Sequence, residues 1–119
     1  MTTTSSDFLA PETCQTMTQV RAGVDAVDAQ IVALLGQRFA YMRAAARIKT
    51  DRAAVRDEDR KASVIAAAKD AAREAGVPEP LVAALWEMLV ESSIAYEMAI
   101  FDAGVGYGVD PPINRRAFP

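Results

Sequence analysis

The chain has 119 residues, of which 51% are hydrophobic, and this length and composition predict one domain with its own core. Its formal net charge is −3, so its overall field repels nucleic acid, and an anionic ligand would need a local cluster of cations. With one cysteine and no histidine, the sequence excludes disulfide frameworks, Cys/His zinc sites and catalytic schemes that use imidazole.

The two ends of the chain differ in composition from its middle. Residues 1–10 are polar and rich in Ser and Thr, and we expect a flexible leader there. Residues 103–119 are rich in Gly and Pro and are expected to form an irregular tail. The predicted domain covers residues 11–102. No apolar run is long enough to cross a bilayer and no secretory signal is evident, so we expect a cytoplasmic protein that does not bind membranes.

The first predicted helix is unusually long. Pro11 and Thr13 supply helix-start chemistry, and no proline follows until Pro78, so the helix is expected to run from near residue 13 to about residue 49. At roughly 100° per residue it carries an apolar stripe within about 60° of one line. The stripe is formed by Val20, Val24, Val27, Ile31, Leu34, Leu35, Met42 and Ala45.

Two cations, Arg38 and Lys49, fall on the line of this apolar stripe. Lys and Arg are rarely buried without a partner, and the acids of this stretch lie more than two turns from Arg38. We therefore expect each cation to meet either an acid on another helix or an anionic ligand.

A second helix is predicted after a short loop at residues 50–55. Asp57, Glu58 and Asp59 are placed as acids are at the positive N-terminal end of a helix. Gly76, followed by Pro78, is a strong C-terminal stop.

A third helix is predicted over residues 81–102, and it is apolar on two sides. One stripe contains Leu81, Leu85, Met88 and Ser92, and the other contains Val82, Trp86, Leu89, Ser93, Glu97 and Ile100. Glu97 is therefore another charge on a line that should be buried.

The sequence thus predicts an all-α protein of three helices, of which the first is too long to be buried by the other two. The simplest partner of equal length is a second copy of the chain in an antiparallel, two-fold homodimer. Arg21 lies roughly 25 Å along the helix from Arg38, too far for both to hold one small molecule within a chain. Antiparallel pairing would bring Arg21 of one chain close to Arg38 and Lys49 of the other.

Several of these positions together resemble one family. They are Arg21, the spacing to Arg38, then Lys49, the motif Val55-Arg56-Asp57-Glu58-Asp59-Arg60, and finally Ser93 with Glu97. The sequence is similar over residues 11–102 to the all-helical class of chorismate mutases and to their close relatives, the isochorismate pyruvate lyases. The part up to Lys49 is more similar to the lyases, and the motif at 55–60 to the mutases. The resemblance implies an intertwined helical homodimer with two sites that each take one arginine from the other subunit.

The resemblance also implies roles for individual residues. Arg21 from the partner chain and Arg38 would hold the two substrate carboxylates, and Lys49 would bridge a carboxylate and the ether oxygen. Asp57 and Arg60 would close the site from the loop, and Ser93 and Glu97 would complete it from the third helix.

Two positions depart from the family pattern. Lys61 stands where mutases of this class often have a glutamate that binds the ring hydroxyl, and Glu97 stands where many members have glutamine. A glutamate can donate a hydrogen bond only when it is protonated.

The activity implied by the resemblance is the rearrangement of chorismate to prephenate in the shikimate pathway of aromatic amino acid biosynthesis. This reaction is unimolecular and needs no cofactor, metal, acid, base or nucleophile, so the absence of histidine is no obstacle. Lys49, Glu97 and Arg38 are the expected catalytic residues, because they would stabilise charge on the ether oxygen and hold the reactive shape.

Two alternatives remain open at this stage. Isochorismate pyruvate lyase, which gives salicylate and pyruvate, uses a substrate with the same carboxylates and enolpyruvyl ether. The other is a non-catalytic dimerisation or regulatory module. In that case the inward charges would be ion pairs, Asp57 a helix cap and Ser93 a packing residue. The candidate set has more cations than acids, which favours a bound anion.

Overall fold

The computed structural model describes residues 9–104, and the regular structure in this range is entirely helical. Helix α1 spans Met17–Ile48, α2 spans Glu58–Ala75 and α3 spans Glu79–Asp102, with short 3-10 turns at Pro11–Thr13 and Arg52–Ala54. The prediction of three helices, the first much the longest, is confirmed. Most of the predicted leader, residues 1–8, and most of the predicted tail, residues 105–119, lie outside the described residues.

Helix α1 begins later than the sequence analysis predicted. Pro11 and Thr13 form a separate 3-10 turn, in which the Thr13 hydroxyl donates to the Ala10 carbonyl. The helix starts instead at a capping box, because the backbone N–H of Gln19 donates to Thr16 Oγ1 at 3.2 Å and the backbone N–H of Thr16 donates to Gln19 Oε1 at 3.2 Å. The predicted start near residue 13 was therefore wrong, and the remaining 32 residues still span about 48 Å.

The chain divides into two compact units, residues 1–40 and 41–119. In the first unit, the apolar stripe of α1 is largely uncovered, with Val24 and Val27 52% exposed, Ile31 49% exposed and Leu34 61% exposed. An open apolar groove of about 640 Å³ runs along this part of α1, where residues 9–14 meet residues 20–30. The described residues of this unit therefore expose a large apolar surface.

The second unit has its core where α2 and α3 pack together. Asp57 caps α2, since its Oδ1 accepts the Arg60 backbone N–H, and Gly76 ends the helix at φ +73°, a left-handed conformation that glycine adopts without strain. The buried apolar residues are Ala46, Val55, Ala72, Val82, Val90, Tyr96 and Ile100. Within residues 9–104, no helix is both long and apolar enough to cross a membrane.

The two apolar sides predicted for α3 differ in burial. Val82, Ser93, Glu97 and Ile100 are buried, which confirms that Glu97 lies on a buried line. The other side is partly open, with Leu81 51% exposed, Leu85 49% and Met88 69%.

Candidate functional site

The most unusual feature of the second unit is a buried acid paired with a cation. Glu97 Oε2 lies 2.8 Å from Lys49 Nζ, and the side chains are 5% and 30% exposed. Lys49 follows the last residue of α1, where its backbone N–H still bonds to the Ala45 carbonyl, and Glu97 comes from the buried side of α3. Of the two partners predicted for Lys49, an anionic ligand or an acid on another helix, the structure shows an acid on another helix.

Glu97 Oε2 is close to a positive charge but has no hydrogen-bond donor directed at it among the described residues. The 2.8 Å separation is that of an ion pair. A buried polar oxygen without a directed partner is uncommon in folded proteins. This oxygen can therefore accept a hydrogen bond from a further donor.

Ser93 lies one turn before Glu97 and is 4% exposed. Its hydroxyl donates to the Leu89 carbonyl at 2.7 Å, so the proton is directed into its own helix.

Asp57 and Arg60 lie at the start of α2 and are exposed. Asp57 acts as the helix cap, and it is the backbone N–H of Arg60 that donates to it, at 3.0 Å. This local bond fixes the first turn of α2 and is the structural role that the sequence analysis kept open for Asp57.

Lys61 is held by two acids of α3. Its Nζ donates to Glu87 Oε2 and to Glu91 Oε2, each at 2.8 Å, and its side chain is 18% exposed. Glu91 also accepts two hydrogen bonds from Arg56, and the two cations, Arg56 foremost, hold the pKa of the Glu91 carboxyl below its ordinary 4.5, at about 2. Lys61 is therefore committed to a network of ion pairs between α2 and α3.

Comparison with known proteins decides the family. The family model described as chorismate mutase type II matches residues 20–98, which include the candidate residues from Arg21 to Glu97. The chain belongs to the type II chorismate mutase family. It is also 32% identical over 88 residues to the isochorismate pyruvate lyase of Pseudomonas aeruginosa, which covers 74% of this chain and 87% of the relative.

The two arginines that are predicted to bind the substrate carboxylates both lie in the first unit. Arg21 is exposed and Arg38 is half-buried, and both belong to the continuous helix α1. Seventeen residues of helix place them about 25 Å apart, so one chain does not bring them together around a small molecule.

One contact between the end of α1 and α3 had no signal in the sequence. Arg43 is half-buried, and its Nη1 donates to the Tyr96 hydroxyl at 3.0 Å. Tyr96 directly precedes Glu97 in the chain, and this bond joins the end of α1 to α3. The two residues are 53 positions apart, and only the packing of the helices shows that they meet.

Proposed function

We propose that this type II family member is a chorismate mutase that converts chorismate to prephenate at a site containing Lys49 and Glu97. The observation that carries the proposal is the pair itself: a cation and a buried acid lie 2.8 Å apart, and one acid oxygen has unused hydrogen-bonding capacity. A cation such as Lys49 beside the ether oxygen is what the reaction needs, because negative charge builds there as the C–O bond breaks, and a protonated Glu97 would add a second donor.

In the proposed reaction, the ring C–O bond breaks while a C–C bond forms within the same molecule. No proton has to move between enzyme and substrate, so the protein contributes by holding the reactive shape and by stabilising charge. Lys49 donates from its ammonium group. Glu97 donates when it carries a proton, since an ionised carboxylate only accepts hydrogen bonds.

Arg38 and the Arg21 of a second chain hold the two substrate carboxylates in this proposal. Guanidinium groups bind carboxylates through two parallel hydrogen bonds, which fixes orientation as well as position. The 25 Å between these arginines supports a site shared between subunits. The exposed apolar stripe of α1 supports the same antiparallel homodimer, because a surface of this kind is usually covered.

Isochorismate pyruvate lyase activity is the second candidate. It is favoured by the similarity to the Pseudomonas aeruginosa lyase and by Lys61, which is bound to Glu87 and Glu91 where the resemblance places an acid for the ring hydroxyl in mutases. The motif at residues 55–60 favours the mutase.

The deciding experiment is a pair of assays on the same purified protein. With chorismate, the proposal expects prephenate; with isochorismate, the second candidate expects salicylate and pyruvate. Turnover of isochorismate alone would replace the mutase proposal by the lyase.

A non-catalytic helical module is the third possibility, since Lys49–Glu97 also has the form of a structural ion pair. A thermal melt distinguishes it, because binding of chorismate to the folded state raises the melting temperature. A melting temperature unchanged by chorismate and isochorismate, together with no turnover of either, would favour the module.

A further inference from the structure

Residues 50–56 join the end of α1 to the start of α2, and they lie between two parts of the proposed site. Lys49 precedes the segment and Asp57 follows it. Its only regular structure is the turn Arg52–Ala54, which Asp51 caps by accepting the Ala53 backbone N–H. Such local bonds fix the shape of the turn without fixing where the segment lies on the protein.

Two arginines join this segment to α3. Arg52 donates from Nε to Asp102 Oδ1 at 2.8 Å and from Nη2 to Asp102 Oδ2 at 3.0 Å. Arg56 donates from Nη2 to Glu91 Oε1 at 2.7 Å and from Nη1 to Glu91 Oε2 at 3.1 Å. Both contacts are bidentate, and this geometry fixes the orientation of the guanidinium group as well as its distance from the carboxylate.

The positions of these contacts along α3 bracket Glu97. Glu91 and Asp102 are separated by three helical turns, about 16 Å, and lie on one side of the helix; Glu97 lies between them along the axis and about 120–140° round from that side. Val55, next to Arg56, is buried, at 3% exposure. The two arginines therefore attach the segment to α3 at one position before Glu97 and one position after it.

We propose that Arg52 and Arg56 are positioning residues, which fasten residues 50–56 along α3 and thereby keep Lys49 against Glu97. The inference rests on the proposed function for its effect on turnover. Arg52 is 60% exposed and Arg56 42%, and exposed ion pairs contribute little to global stability. Their loss therefore affects the order of the segment and the rate of reaction more than it affects unfolding.

The chain offers a matched control in Arg73. Its Nη1 lies 3.0 Å from Glu79 Oε1 and its side chain is 54% exposed, so it forms an ion pair of similar exposure. Arg73 lies in the last turn of α2, away from residues 50–56. Arg73→Gln thus removes a comparable pair without touching the segment.

The test compares Arg52→Gln, Arg56→Gln and the double variant with Arg73→Gln. Amide hydrogen exchange of residues 50–57, measured without substrate, should be faster in the first three variants and unchanged in the control. With whichever of chorismate and isochorismate the parent converts, kcat should fall about tenfold or more in the double variant, with little change in melting temperature. Arg52→Asp combined with Asp102→Arg should restore much of what Arg52→Asp loses.

The outcomes separate the two proposals. Exchange that stays slow in the double variant would overturn the positioning role, whatever happens to turnover. Faster exchange with an unchanged kcat would also overturn it. A parent protein that converts neither substrate would refute the proposed function and the catalytic effect with it, while the exchange data would still decide whether the arginines order the segment.

Discussion

The two residues of the Lys49–Glu97 pair are unequally buried, and this inequality predicts unequal costs of removing them. In Lys49→Met, the Glu97 side chain, 5% exposed, is left without its cation. Removing one partner of a buried pair lowers the free energy of unfolding by about 3–5 kcal/mol, and for Lys49→Met we expect a loss of about 3 kcal/mol because Lys49 itself is partly exposed. In Glu97→Gln, the 30% exposed lysine can turn towards water, and the expected cost is about 1 kcal/mol.

The assay is urea unfolding of both variants and the parent at pH 7, which gives the free energy of unfolding of each by linear extrapolation. Equal costs for the two variants would refute the idea that Glu97 is buried and depends on Lys49.

Three further predictions concern other parts of the molecule. If Arg38 holds a substrate carboxylate as proposed, Arg38→Lys keeps the charge but loses the bidentate hydrogen bonds. In that variant, kcat/KM should fall by about 10- to 150-fold, or about 1.5–3 kcal/mol, while the oligomeric state measured by sedimentation is unchanged. Ile31→Ala should raise the dissociation constant of the proposed dimer about 30-fold, because burying the exposed half of Ile31 contributes about 1 kcal/mol in each of the two subunits. Val32 does not lie on the apolar stripe, so Val32→Ala should leave the dissociation constant unchanged. Glu91 stabilises the fold while ionised, and this contribution is lost as pH falls from 4.5 to about 2, so Glu91→Gln should melt lower than the parent at pH 6 and converge with it near pH 2.

The fold was predictable where residues close in sequence determine how a helix begins or ends. Gly76 before Pro78 ends α2, and the acids at its start include the cap Asp57, as local chemistry requires. Periodicity also placed Glu97 on a buried line of α3, since a helix presents every third or fourth residue on one side. The predicted start of α1 was wrong because the helix begins at the capping box of Thr16 and Gln19. Pro11 and Thr13 form a separate 3-10 turn instead.

The ion pairs around the candidate site depend on how helices pack, and local patterns do not encode that. Lys61 was identified only as a departure from the family pattern, and its partners Glu87 and Glu91 are 26 and 30 residues away. The same holds for Arg52 with Asp102, which are separated by 50 residues. For Lys49, periodicity predicted that a partner was needed, an acid on another helix or an anionic ligand, but it did not show that the acid is Glu97.

The shared active site is the central claim, and complementation between two inactive variants tests it most directly. Arg21→Ala and Lys49→Ala would each be inactive alone, and after they are mixed and refolded together, mixed dimers would contain one site with both residues intact. With random pairing, about a quarter of the sites are complete, so about a quarter of the parent's turnover of chorismate or isochorismate should return. No recovery in a sample whose mixed dimers are demonstrated by mass spectrometry would contradict a site built from Lys49 of one subunit and Arg21 of the other.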